Sequence, residues 1–182
     1  MSRRDLATLY GVGLLPGAPG TWGSLVALII ALPLLHFAYG WAILILLVIW
    51  SLVAGTEAST RHMALFDTGH DPTEIIVDEL HGQWLTYTIW HVWMVLLAGI
   101  GNAITLLNEV SGSPRELAIG FLLFRFFDIL KPWPISWADR KIKGGWGVMF
   151  DDVLAAIAAG TALAAIHVFW PLLFGQMDET AV

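Results

Sequence analysis

The sequence contains no cysteine. That removes disulfides, thiolate metal sites and a cysteine nucleophile together. Charge is scarce too: 13% of the 182 residues are Asp, Glu, Lys or Arg, against about 25% in an ordinary soluble domain. A net charge of −6 speaks against nucleic acid as a partner. The alternating pattern of barrel strands is missing, as are internal repeats and low-complexity tracts. The opening "MSRRDLATLYGVGLLPG" has a basic start but no clean apolar core before its Gly/Pro break, so it does not read as a cleaved signal peptide.

What is present is hydrophobic. Apolar residues make up 57% of the chain, the mean hydropathy is +0.72, and the ten Trp suit the headgroup level of a bilayer. The composition predicts an all-α, polytopic membrane bundle formed by a single domain, residues 1–182; an unusually apolar soluble bundle is the alternative. Apolar runs cover 24–39, 41–55, 84–107, 117–130 and 153–174, which predicts about four to five apolar helices. "SGSPRE" reads as a loop with a helix start, and "KPWPI" stops the fourth helix because proline lacks an amide donor.

Threading these runs through a bilayer with the N-terminus inside puts segments 1–23, 56–83 and 131–150 on the inner side. They hold Arg3, Arg4, Arg61, Lys131, Arg140, Lys141 and Lys143, while the outer loop near 108–116 offers only Arg115. That is the positive-inside asymmetry. The same threading gathers every dense polar cluster at the cytoplasmic face, which predicts one shared site there.

The carboxylates are the candidates for chemistry. Asp78 and Glu79 precede one apolar helix, Asp151 and Asp152 precede another, and Asp128 lies in the last turn of a third. Acids at helix N-termini can simply cap and complement the dipole, but that does not account for Asp128. Converging carboxylates repel unless a cation joins them, and Mg²⁺ suits carboxylate, water and phosphate oxygens. The histidines are scattered, which argues against a zinc cluster; His81 is a candidate supporting group beside Glu79. Arg125, Asp128 and Lys131 are spaced to share a helical face, either as a plain salt-bridge ladder or, with Arg140, as phosphate ligands. The glycine-rich "GVGLLPGAPGTWGS" lacks P-loop spacing but offers amides and the hydroxyls of Thr21 and Ser24, either to an anion or as a flexible entry with Ser24 as N-cap. The Gly144, Gly145 and Gly147 cluster reads the same way. Carboxylates for metal beside cations for phosphate are the parts of phosphoryl-transfer catalysis.

Three stretches, "GLLPGAPGTWGS", "HDPTEIIVDELHGQW" and "FRFFDILKPWPISWADRKIKGGWGVMFDDVLAAIAAG", resemble the phosphatidylglycerophosphatase A family in content and order. The resemblance implies a Mg²⁺-dependent lipid phosphatase of the bacterial inner membrane. It would take phosphatidylglycerophosphate, embedded among membrane lipids, to phosphatidylglycerol and phosphate at a cytoplasm-facing site. By position, the family's acidic motif falls on Asp78 and Glu79 and its paired aspartates on Asp151 and Asp152. Its Arg-x-x-Asp-x-x-Lys-Pro run falls on Arg125, Asp128, Lys131 and Pro132, with Asp139 and Arg140 following. Residues 92–117 do not follow the family pattern. The expected metal ligands are Glu79, Asp151 and Asp152, with Asp78 and Asp128 as ligands, general base or supporting groups. Arg125, Lys131 and Arg140 are expected to hold the phosphate. Without cysteine, a D-x-D-x-[TV] run or the signature of vanadium-type lipid phosphatases, attack by a metal-activated water remains. The rival reading is an ion-coupled transporter or channel, which calls for mid-bilayer acids and repeated broken helices. Oligomeric state is left open.

Overall fold

The computed structural model describes residues 6–37, 39–66, 73–98 and 113–174. Among them the chain is helical throughout, with no strand. After a single 3-10 turn at Val12–Leu14, α1 runs from Pro19 to Leu34, starting where proline's fixed φ and missing N–H suit the first helical position. A short connection after Leu34 leads to α2, Gly40–Phe66. Next come α3 (Val77–Ala98), α4 (Pro114–Leu130), the short α5 (Ile135–Lys141) and α6 (Gly144–Phe174).

Each apolar run expected from the sequence falls within or over a helix, but the boundaries move. α1 begins five residues before its predicted run, so Ser24 lies inside the helix and Ala18 is the N-cap. α6 begins nine residues before its predicted run, at Gly144. The "GGWG" stretch is therefore helix, not an anion-binding loop. A Cβ on Gly145 would lie 2.5 Å from the Thr56 carbonyl oxygen of α2, so Gly145 serves close helix contact. The part of the 84–107 run beyond Ala98, and the outer loop to 112, lie outside the described residues.

α6 is the central element, packed against α2, α3, α4 and α5, while α3 also contacts α1, α2 and α4. Their seams are lined by small residues: Ala155, Ala156 and Ala159 are fully buried against Phe124. In the middle of the bundle, Tyr87 of α3 donates to the carbonyl of Leu117 in α4 at 2.9 Å, and Trp84 donates to that of Ala27 in α1 at 3.0 Å. Such bonds contribute about 1 kcal/mol each when buried.

The outer surface is apolar. Ile29, Leu46, Val53, Leu97, Leu122 and Phe169 all point outward and are more than half exposed. Two helices, over Gly40–Ala64 and Gly144–Trp170, are long and apolar enough to cross a membrane by length and composition, while α1 is a shorter apolar helix. Singly exposed apolar residues are normal in soluble proteins, but a continuous apolar exterior marks a lipid or protein contact.

The α3–α6 seam is tightest at Gly160, where a Cβ would lie 2.6 Å from the Thr86 carbonyl oxygen and 2.7 Å from Ile89 Cβ. Gly160→Ala is expected to destabilise the bundle by about 1–3 kcal/mol. A lowered midpoint of thermal unfolding in detergent measures it; an unchanged midpoint refutes this packing.

Candidate active site

Five elements bring their polar ends to one end of the bundle: the N-terminal turns of α1, α3 and α6, the C-terminus of α4, and α5. They enclose a cavity of about 360 Å³ whose walls include Asp78, Glu79, Arg125, Asp128, Lys131, Asp139, Asp151 and Asp152. All five carboxylates singled out in the sequence meet here, from three separated segments.

Asp78 and Glu79 occupy the first turn of α3, where the helix dipole favours negative charge. Their approach is set by the segment before them. His62 of α2 pairs with Glu74 at 3.0 Å, and the Ile76 amide donates to the carbonyl of Ala7 at 2.9 Å. Gly20 of α1 makes room for the Glu79 carboxylate, since any Cβ there would collide with it. Asp151 and Asp152 sit two turns inside α6, too deep for capping, so the capping alternative does not apply to them. Asp128 lies in the last turn of α4, where the dipole opposes it, and Arg125 compensates from one turn earlier at 2.8 Å.

Lys131 ends α4 in the left-handed conformation, φ 42° and ψ 56°, which costs a non-glycine residue about 1–2 kcal/mol. The turn directs its ammonium between Asp139 at 2.5 Å and Asp151 at 2.6 Å. Burial opposes this charge, but the two carboxylates outweigh it and hold the lysine above its ordinary pKa. Lys131, expected as a phosphate ligand, lines the cavity and is here the counter-ion to two acids. Asp139 was not among the expected site residues. Its signal is faint in sequence, because its partner lies eight residues back across two prolines.

The remaining expected residues fall differently. Arg140 follows Asp139 on α5, and the 100° helical step that brings Asp139 to the cavity leaves Arg140 exposed and off its wall. Ser24 is fully buried; it donates to the Gly20 carbonyl and accepts from Arg125 at 3.5 Å. It supports Arg125 and is not a wall residue. Thr21, half-buried in the first turn of α1, does not line the cavity either. His81 is buried against Ser51 of α2, its Nδ1 2.9 Å from the hydroxyl, away from the carboxylates.

The electrostatics call for a cation. Asp78 Oδ1, Glu79 Oε2 and Asp152 Oδ2 are buried with no hydrogen-bond partner. Oxygens of Asp78, Glu79 and Asp152 lie within 4.8 Å of one another, as do those of Asp128, Asp151 and Asp152. An all-oxygen, all-carboxylate donor set fits a hard divalent cation such as Mg²⁺.

Comparison with known proteins gives the family. No solved structure matches the chain significantly. It is 34% identical over 168 residues to phosphatidylglycerophosphatase A of Escherichia coli, covering 92% of this chain and 84% of that one. It is 37% identical over 168 residues to the Haemophilus influenzae protein of the same name, covering 92% and 89% respectively. The family model described as phosphatidylglycerophosphatase A matches residues 6–167. The chain belongs to the phosphatidylglycerophosphatase A family.

Proposed function

We propose that this protein hydrolyses the terminal phosphate of phosphatidylglycerophosphate, giving phosphatidylglycerol and inorganic phosphate. The observation that carries the reading is the carboxylate-lined cavity at one end of a bundle whose sides are apolar. An amphiphilic substrate suits both surfaces at once: acyl chains against the helices, phosphate in the cavity. Membership of the family supplies the headgroup. A transporter has no comparable support, since the acids gather at one end and not along a path through the bundle.

The mechanism follows from the wall. Water attacks phosphorus opposite the glycerol ester oxygen, that P–O bond breaks, and the alkoxide leaves as alcohol by taking up the proton that the attacking water loses by way of the wall. A wall carboxylate accepts the proton lost by the attacking water. Arg125, whose Nε has no partner, offers donors to the phosphate oxygens and opposes the charge that builds up on them. Lys131 and Asp139 fix Asp151 in place. Asp78, Glu79, Asp128, Asp151 and Asp152 would hold Mg²⁺. When bound, that ion supplies positive charge on the phosphate and a lowered pKa for water.

In the membrane, α2 and α6 span with α1, α3 and α4 completing a multi-pass bundle of four to five apolar segments in the bacterial inner membrane. The basic residues near the cavity end support an orientation with the cavity toward the cytoplasm.

Purified protein in detergent is expected to release phosphate from phosphatidylglycerophosphate with Mg²⁺ and to stop when EDTA is added; undiminished release in EDTA refutes the metal reading. Asp152→Asn is expected to lower kcat by about a hundredfold or more, the equivalent of several kcal/mol of lost charge stabilisation, with unchanged helix content. Arg125→Lys replaces a planar fork by a point charge, and about a tenfold fall in kcat/KM is expected. Because the chain has no cysteine, single replacements report topology cleanly. In intact bacteria an impermeant maleimide should label Arg115→Cys but not Arg140→Cys, and the reverse pattern overturns the orientation.

A further inference from the structure

The cavity wall contains two overlapping ligand sets. One consists of Asp78, Glu79 and Asp152, the other of Asp128, Asp151 and Asp152. Asp152 belongs to both. It is 3% exposed, and its Oδ2 is buried with no hydrogen-bond partner. A carboxylate has two oxygens, so one residue can serve two cations, one through each. Its place on α6 suits that role: Gly82 of α3 brings the two helices into contact beside its Cβ, so Asp152 lies between the α3 acids and the α4 acid.

Charge points the same way. The wall carries six carboxylates and two protein cations, Arg125 and Lys131, a net of four negative charges when all six are ionised. One divalent ion leaves half of that repulsion in place in a buried site, where charge is costly; two balance it. The protein cations are also distributed unequally. Arg125 takes Asp128 Oδ2 at 2.8 Å and Lys131 takes Asp151 Oδ2 at 2.6 Å, each leaving the other oxygen for a cation. Both belong to the second set. Asp78 and Asp152 of the first set have no such ion pair among the described residues.

We infer that the cavity takes two divalent cations, with Asp152 shared between them: Asp78 and Glu79 complete a tighter site, Asp128 and Asp151 a weaker one. The inference rests on the phosphatase reading above and goes beyond it in the number of ions and in the role of Asp152. Paired cations held by a shared carboxylate are an established way to bind the attacking and leaving oxygens of a phosphoryl group together.

Mn²⁺ is the probe, because it replaces Mg²⁺ and is paramagnetic. Titration of the purified full chain is expected to reach two Mn²⁺ per protein, in a tighter and a weaker step, with an electron paramagnetic resonance spectrum showing a magnetically coupled pair. Asp78→Asn and Asp128→Asn should each retain one ion with an uncoupled spectrum, Asp78→Asn having lost the tighter step. Asp152→Asn should lose the coupling and weaken both steps. Circular dichroism and gel filtration of the isosteric variants establish that they are folded. Saturation at one Mn²⁺ per chain, in protein that still releases phosphate, overturns the paired site and leaves the phosphatase intact. Phosphate release with no Mn²⁺ bound overturns the paired site and the metal reading together.

Discussion

The mutual repulsion of buried carboxylates is the constraint on which the rest of this structure depends. Asp151 and Asp152 are nearly buried, and Asp78, Glu79 and Asp128 face the same cavity. Two like charges in contact cost several kcal/mol when water is excluded, so a fold that assembles five does so against a steep gradient. Something must hold the helices together more firmly than the acids push them apart.

The bundle does this with close packing just beyond the site. Gly82 admits Phe124 of α4 beside the Asp152 Cβ, Gly120 lies against Tyr87 and Leu163, and Gly160 against Thr86 and Ile89. Small residues let helix backbones approach closely, which in a lipid setting replaces the hydrophobic drive available in water. The same glycines that look like flexibility in the sequence are therefore contacts in the fold. Backbone strain is accepted beside the site at Lys131, whose left-handed conformation aims a cation at Asp139 and Asp151. Strain of that kind persists where the surrounding contacts over-determine it, and here two ion pairs do so.

The sequence made the helices and the acidic group legible for physical reasons. Long apolar runs without alternation admit few structures other than helices, and dense polar clusters separated by such runs must lie at their ends. Boundaries were harder to read. The glycines of "GGWG" argue for a loop locally, and only contact with Thr56 and Thr60 of α2 makes helix favourable there. Side-chain direction was harder still. Asp139 and Arg140 are neighbours in "ADRK", and only the rotation of α5 turns the acid inward and the base out. Lys131 was read as a candidate phosphate ligand and Ser24 as one or as an N-cap; the partners they have in the fold, Asp151, Asp139 and Arg125, carry no local signal.

This redistribution of cations bears on how the site can turn over. A phosphate held by three fixed basic side chains would be bound tightly as product as well as substrate, and uniform binding of that kind does not raise kcat. Here Lys131 is committed to two carboxylates, and Arg125 divides its donors between Asp128, Ser24 and the cavity. Arg140 lies outside the wall. Little fixed positive charge from the protein is therefore left facing the phosphate. On the proposed metal reading, most of the attraction would come from ions held by the acids, which could adjust their ligands as the phosphate changes from ester to free anion. A carboxylate-rich wall at the membrane surface also repels stray anions when no cation is bound. On that reading, recognition of the headgroup and binding of the cation would become one event, and the apolar flanks of the bundle would favour phosphates carried by a lipid.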